Sequence, residues 1–264
     1  MAETNQTPAP HSGRRTLGVA IAVCLVCSLI VASTAVMLKP IQMANRIQAR
    51  QQVLVELAGL TARGLSVEQA YRQFEVRMIE LASGEYHDDQ DPEQFEVTKA
   101  GKDTTQSISL TAEQDLAQIR RKPKYLPVYQ VFDQAGKLET LVLPIYGYGL
   151  WSTLYGFIAL EGDLRTVKGI QFYQHAETPG LGGEVDNSRW LDLWPGKVVF
   201  DDDWQPRIEL VKGAVSTDTP DNQHKVDGLS GATMTTRGIN NLLKFWFGEE
   251  GFRPFLLRLR EERS

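Results

Sequence analysis

Cysteine is all but missing: the 264-residue chain holds two, Cys24 and Cys27, and both fall inside one apolar run. The remainder of the chain therefore has no disulfide framework and no thiol chemistry. Histidine is nearly as scarce. The four residues His11, His87, His175 and His224 show no catalytic spacing. Ser230, His224 and Asp227 can be written down as a hydrolase triad, but the strand-to-helix GxSxG elbow of such enzymes is absent. A basic excess is missing too. Lys and Arg total 28 against 33 Asp and Glu, a net charge of −5, which leaves no electrostatic footprint for nucleic acid. Neither a Walker lysine nor a GxGxxG turn occurs, so nucleotide binding by those routes is unsupported. The acidic stretch Asp88 to Pro92 lacks the alternating ligands and central glycine of a calcium loop and reads as a solvated linker. No metal site is expected.

What is present begins with TLGVAIAVCLVCSLIVASTAVML, Thr16 to Leu38, 23 residues without a charge. That exceeds the roughly 20 residues needed to cross a hydrocarbon core. A cleaved signal peptide is the competing reading, with Arg14 and Arg15 as its basic region and Ser33-Thr34-Ala35 as its cleavage site. The run is long for a signal core of about 7–15 residues, which favours an uncleaved anchor. Basic residues flank both ends, Arg14 and Arg15 on one side and Lys39, Arg46 and Arg50 on the other. The short tail 1–15 is expected on the cytoplasmic side and the domain outside, making a single-pass protein in contact with membrane lipid. Cys24 and Cys27, three apart, share a helix face; small apolar packing residues or ligands shared with a partner both remain open. One uncharged span offers no ion path of its own.

Residues 39–124 read as a helical connecting region. Pro40 to Leu60 continues a helix that Thr61 to Gly64 breaks. Ser66-Val-Glu-Gln69 is a capping box, and Val67, Ala70, Tyr71, Phe74, Met78 and Leu81 extend a helix with one apolar face. From Tyr125 the period changes to alternation. VYQVFD, ETLVLPIYGYG, WSTLYGFIALEGD and TVKGIQFYQH are separated by short turns and predict an antiparallel meander. SRWLDLW predicts a short helix, VVFDDD and RIELVKG two more strands, and INNLLKFWF a helix stopped near Gly248. The fold class expected for residues 125–264 is α+β, an antiparallel sheet with flanking helices.

The stretch DGLSGATMTTRG, Asp227 to Gly238, sets small and hydroxyl-bearing residues just before that last helix. With a helix start near Thr235 or Thr236, Ser230 to Thr233 form a loop feeding a helix N-terminus, where free amides and the dipole suit an anion such as phosphate. Gly231 permits close approach, and Ser230, Thr233, Thr235 and Thr236 offer hydroxyls. A plain helix cap fits the same residues.

Asp227, two residues, then Ser230-Gly231-Ala232-Thr233 resembles the flavinylation motif of the FMN-binding domain family at every specified position. GLWSTLYGF (Gly149 to Phe157), HAETPGLGGEV (His175 to Val185) and WFGEEGFRPFLLRLR (Trp246 to Arg260) resemble segments of the C subunits of sodium-translocating NADH:quinone reductases. The resemblance implies FMN held by a phosphoester bond to Thr233 and installed by a flavin transferase from FAD. It further implies an electron carrier among the other subunits of a bacterial inner-membrane complex coupling NADH oxidation by ubiquinone to sodium export, with the domain in the periplasm. Leu150, Trp151, Glu177, Thr178 and Leu181 are then expected to enclose the ring, Lys212 and Gly213 to face phosphate or ring, and Ser230, Gly231, Ala232 and Thr236 to line the phosphate. Without the resemblance, Trp151 reads as core, Thr178 to Gly183 as a flexible turn, and Lys212 as a solvated lysine. Asp227 is expected to serve the modification itself, since an acid beside a phosphate repels it. Two other readings stay open: the flavin subunit of the related ion-translocating ferredoxin:NAD oxidoreductase, and a non-redox anchored binding domain.

Overall fold

The computed structural model describes residues 13–92 and 95–263. His11 and most of the tail 1–15 lie outside the described residues. Among the described residues, those up to 49 form one unit and those from 50 onward another.

The first unit is helical. Helix α1 runs Gly13–Leu57 without a break at Pro40, 45 residues in all, or about 68 Å at 1.5 Å per residue. It is long and apolar enough to cross a membrane, and every described residue from 13 to 49 is exposed.

In the second unit, the last two turns of α1 change character. Val53, Leu54 and Val55 are buried, and Lys168 Nζ donates to the carbonyl of Ala58 at 2.9 Å, placing a cation where the helix end leaves acceptors free. After a 3₁₀ turn Leu60–Arg63, α2 spans Val67–Tyr71 behind the expected capping box: Ser66 Oγ accepts from the Gln69 amide, and Gln69 Oε1 accepts from the Ser66 amide. The helix expected to continue to Leu81 does not. Glu75–Glu80 is strand β1, paired antiparallel with β4, so the segment 39–124 is not wholly helical. It also holds α3, Val97–Ala100, and a small antiparallel pair, β2 (Ser107–Ser109) with β3 (Arg121–Pro123).

Strands β4 (Tyr125–Phe132), β5 (Leu138–Tyr148), β6 (Thr153–Glu161) and β7 (Val167–Gln174) form the expected meander, and the sheet order is β1-β4-β5-β6-β7, all antiparallel. Alternate residues of β5 face opposite sides. Leu141, Leu143 and Ile145 enter the large core with Ile239, Leu242 and Trp246, while Val142 joins Leu54, Tyr129 and Phe157 beneath the end of α1. Both faces are thus covered.

The return path begins with a 3₁₀ turn Gly182–Asp186 and α4, Ser188–Leu191. VVFDDD does not form the expected strand. Val199 and Phe200 are buried, but the segment makes isolated bridges only, and the Val198 and Val199 amides donate to the carbonyls of Gln223 and Arg165. Strands β8 (Glu209–Val211) and β9 (Lys225–Asp227) form a short parallel ladder. Helix α5 runs Thr233–Trp246, starting two or three residues earlier than expected, and α6, Arg253–Glu261, follows.

Candidate functional site at the start of helix α5

The parallel ladder delivers the chain to α5. Asp227 ends β9, and its Oδ1 accepts from the Val215 amide at 2.7 Å. Its carbonyl accepts from Trp190 Nε1 at 2.9 Å. The Gly228 amide donates to the Val211 carbonyl at 2.8 Å, which sets exposed Lys212 and Gly213 beside the beginning of the motif. Leu229 turns inward and its amide donates to Thr236 Oγ1 at 3.0 Å, so the Thr236 hydroxyl closes the loop. Ser230, Gly231 and Thr233 are exposed, whereas Ala232 is buried and packs rather than lining an open surface. Gly231 adopts φ 73°, and a Cβ there would stand 3.1 Å from Leu181 Cδ2.

Thr233 is the first residue of α5, and Ala232 at the cap position supplies no side-chain hydrogen bond. The helix-cap reading of the hydroxyls therefore fails. The first-turn amides carry the unbalanced positive end of the helix, as an anion site requires.

Apolar side chains stand exposed near this point: Trp151 at 66%, Met234 at 48%, Leu181 at 45% and Leu150 at 38%. Trp151 is thus not a core residue. Leu150 and Trp151 lie in the turn between β5 and β6, which Gly149 closes by donating to the Ser152 carbonyl at 2.8 Å. Leu181 follows Thr178, whose carbonyl accepts from the amides of Leu181 and Gly183. Exposed apolar groups gathered in this way mark a binding surface.

Glu177 stands apart from these residues. It is 5% exposed, and its carboxylate accepts from the amides of Leu150, Trp151 and Ser152 at 3.0–3.3 Å and from Thr235 Oγ1 at 2.7 Å. Burial pushes this carboxyl up, but the bonds from Thr235 and the three amides outweigh it and hold it below its ordinary value. The carboxylate is committed to hydrogen bonds within the protein, tying the turn that bears Leu150 and Trp151 to the first turn of α5.

The hydrolase triad does not assemble. His224 Nδ1 pairs with the Val198 carbonyl at 2.6 Å, and Asp227 is engaged with Val215. Among the described residues no group of three His, Cys, Asp or Glu can hold a metal ion. The sequence marks Thr235 as a hydroxyl at the helix start but not its bond to Glu177, and it leaves no mark of the place of Ser152, because these partners lie far away along the chain.

A free hydroxyl at an uncapped helix N-terminus, bare backbone at Gly231 and apolar side chains alongside fit a phosphate-bearing aromatic cofactor. The class defined is an α+β FMN-binding domain behind a helix that can cross a membrane. Residues 149–248 match the FMN-binding domain family. The chain is 48% identical over 255 residues to the C subunit of the Na(+)-translocating NADH-quinone reductase of Pseudomonas aeruginosa, covering 95% of this chain and 97% of that one. It is 45% identical to the corresponding C subunit of Yersinia pestis, covering 94% and 93%. The crystal structure of Shewanella oneidensis NqrC superposes with a TM-score of 0.70 at 36% identity, over 80% of this chain and 98% of that one. The chain belongs to the family of Na(+)-translocating NADH-quinone reductase C subunits.

Proposed function

We propose that this protein is the electron-carrying C subunit of a sodium-translocating NADH:ubiquinone reductase, with FMN joined to Thr233 by a phosphoester bond. The observation that carries this reading is exposed Thr233 at the uncapped start of α5, with exposed Met234 next to it, exposed Leu181 beside Gly231, and the turn that exposes Leu150 and Trp151 tied to the same helix turn through Glu177 and Thr235. In the attachment step a flavin transferase brings FAD. Thr233 Oγ bonds to the FMN-side phosphorus, the bond to the adenylate oxygen breaks, AMP leaves, and the hydroxyl proton is released. Bound FMN supplies one- and two-electron redox chemistry. The chain's own residues then tether and orient it. The α5 amides, with Ser230 and Gly231, receive the phosphate, Leu150, Trp151, Thr178 and Leu181 flank the ring, and Lys212 and Gly213 stand at the motif's edge. Thr233 is a tether and takes no part in acid-base chemistry.

In this reading residues 1–15 form a cytoplasmic tail, 16–38 the span through the bacterial inner membrane, 39–124 the connection and 125–264 the periplasmic flavin domain. The test expresses the full chain with its flavin transferase in a host membrane. A denaturing gel viewed under ultraviolet light should show a fluorescent band whose flavin peptide maps to Thr233 and which vanishes in Thr233→Ala. A dark wild-type band from a host with an active transferase sinks the reading.

A further inference from the structure

We propose that Glu177 is a positioning residue that clasps the Trp151 turn to the first turn of α5 and so sets the register in which Thr233 is flavinylated. The inference rests on Thr233 as the attachment residue. Three successive amides, Leu150, Trp151 and Ser152, converge on one carboxylate, an arrangement that elsewhere binds free anions; here the protein's own side chain fills it. Thr235, two residues beyond Thr233, gives the same carboxylate its hydroxyl hydrogen bond at 2.7 Å. One buried group thus joins the two elements that bear the exposed tryptophan and the reactive hydroxyl.

The surroundings are shaped to this carboxylate. A Cβ at Gly149 would lie 2.7 Å from Glu177 Oε1, and one at Gly182 would lie 2.8 Å from Oε2 and 2.5 Å from Thr235 Oγ1. An outer fastening backs the clasp: the Ala176 amide donates to Ser152 Oγ at 2.7 Å, and the Glu177 amide to His175 Nδ1 at 3.2 Å. With four donors on two oxygens, the lone pairs are used up, so the carboxylate acts through the turn and the helix.

The test uses the full chain in detergent, with Glu177→Ala, Glu177→Gln, Thr235→Val and Thr235→Ser. Hydrogen exchange of the flavin-free protein is read by mass spectrometry, alongside the rate of covalent flavin uptake when transferase is added. In Glu177→Ala the amides of residues 150–152 should exchange about tenfold faster, and in Glu177→Gln, whose remaining side-chain oxygen can still accept from them, by a smaller factor, with protection of β6 and of residues 239–246 unchanged. Flavin uptake should slow by about tenfold. Thr235→Val should slow uptake in the same direction, while Thr235→Ser, which keeps the hydroxyl, should stay near wild type in both readouts. Unchanged exchange at 150–152 overturns the clasp. Exchange that quickens throughout the domain overturns it as well, since it reports general loosening. Faster local exchange with wild-type flavin uptake overturns the role in attachment. A wild type that takes up no flavin overturns the attachment reading itself, and the exchange data, which need no flavin, tell that failure apart.

Discussion

Gly238 lies directly against Gly149. A Cβ placed on Gly238 would stand 2.9 Å from the Gly149 Cα and 2.5 Å from the Tyr148 carbonyl oxygen. The helix that begins with Thr233 and the turn that carries Trp151 therefore meet backbone to backbone, one helical turn beyond Met234. Gly238→Ala forces them apart, because the obstructing atoms are backbone and have no rotamer to yield. The expected cost is about 1–3 kcal/mol of stability. Thermal unfolding of the flavin-free protein measures it, and covalent flavin uptake should fall in the same variant.

Asp227 separates structure from chemistry within the motif. Its Oδ1 holds the Val215 amide at 2.7 Å, a bond that an asparagine oxygen can also accept. Asp227→Asn should thus unfold within about 0.5 kcal/mol of wild type, whereas Asp227→Ala leaves the amide unpaired and loses about 1–2 kcal/mol. Flavin uptake should fail in both if the charge serves the transferase. Normal labelling of Asp227→Asn would reduce the motif's acid to a loop anchor.

How much of this was legible in the sequence depends on the range of the interaction. The meander was readable because its turns are local: Asp133 Oδ1 accepts from the amides of Ala135 and Lys137, and Asp163 Oδ1 from those of Arg165 and Thr166. The Ser66 to Gln69 capping box was readable for the same reason. Strand β1 was not, since Met78 and Ile79 are both buried, which erases the alternation, while Phe74, Met78 and Leu81 keep a spacing that a helix also allows. The Asp227 to Thr233 motif was visible as a pattern. Its apolar companions Leu150, Trp151 and Leu181 became legible only through the family resemblance. The bond between Thr235 and Glu177 spans 58 residues and leaves no local trace.

Acid should weaken the domain in a definite window. Burial raises the Glu177 carboxyl, yet the hydrogen bonds from Thr235 and the three turn amides hold it below its ordinary value of 4.5. Glu250 is held down first by the hydrogen bond from Lys122 Nζ at 2.6 Å and further by Gln114, against a smaller opposing effect of burial. Groups whose pKa is lowered by folding contribute stability that is complete above the unfolded value and is lost as pH falls through the folded one. Stability should therefore be flat from neutral pH to about 5 and decline below it. Denaturant melts between pH 7 and 3 measure this, and Glu250→Gln should make the decline shallower. An identical slope in the variant would remove Glu250 from the account.

Trp151 gives a direct reading of whether the exposed surface serves a cofactor. It is the tryptophan left open, since Trp190, Trp194, Trp204 and Trp246 are all buried. Trp151→Ala removes little packing, so the stability of flavin-free protein should stay within about 0.5 kcal/mol of wild type. Acrylamide quenching of tryptophan emission should drop sharply in the variant, because the accessible indole is gone. In flavin-loaded protein the same substitution should alter the visible absorption and raise flavin emission, as a ring lying beside an indole is quenched by it. A variant with unchanged flavin spectra would place the ring elsewhere along Leu181 and Met234, and a large loss of stability would return Trp151 to the core.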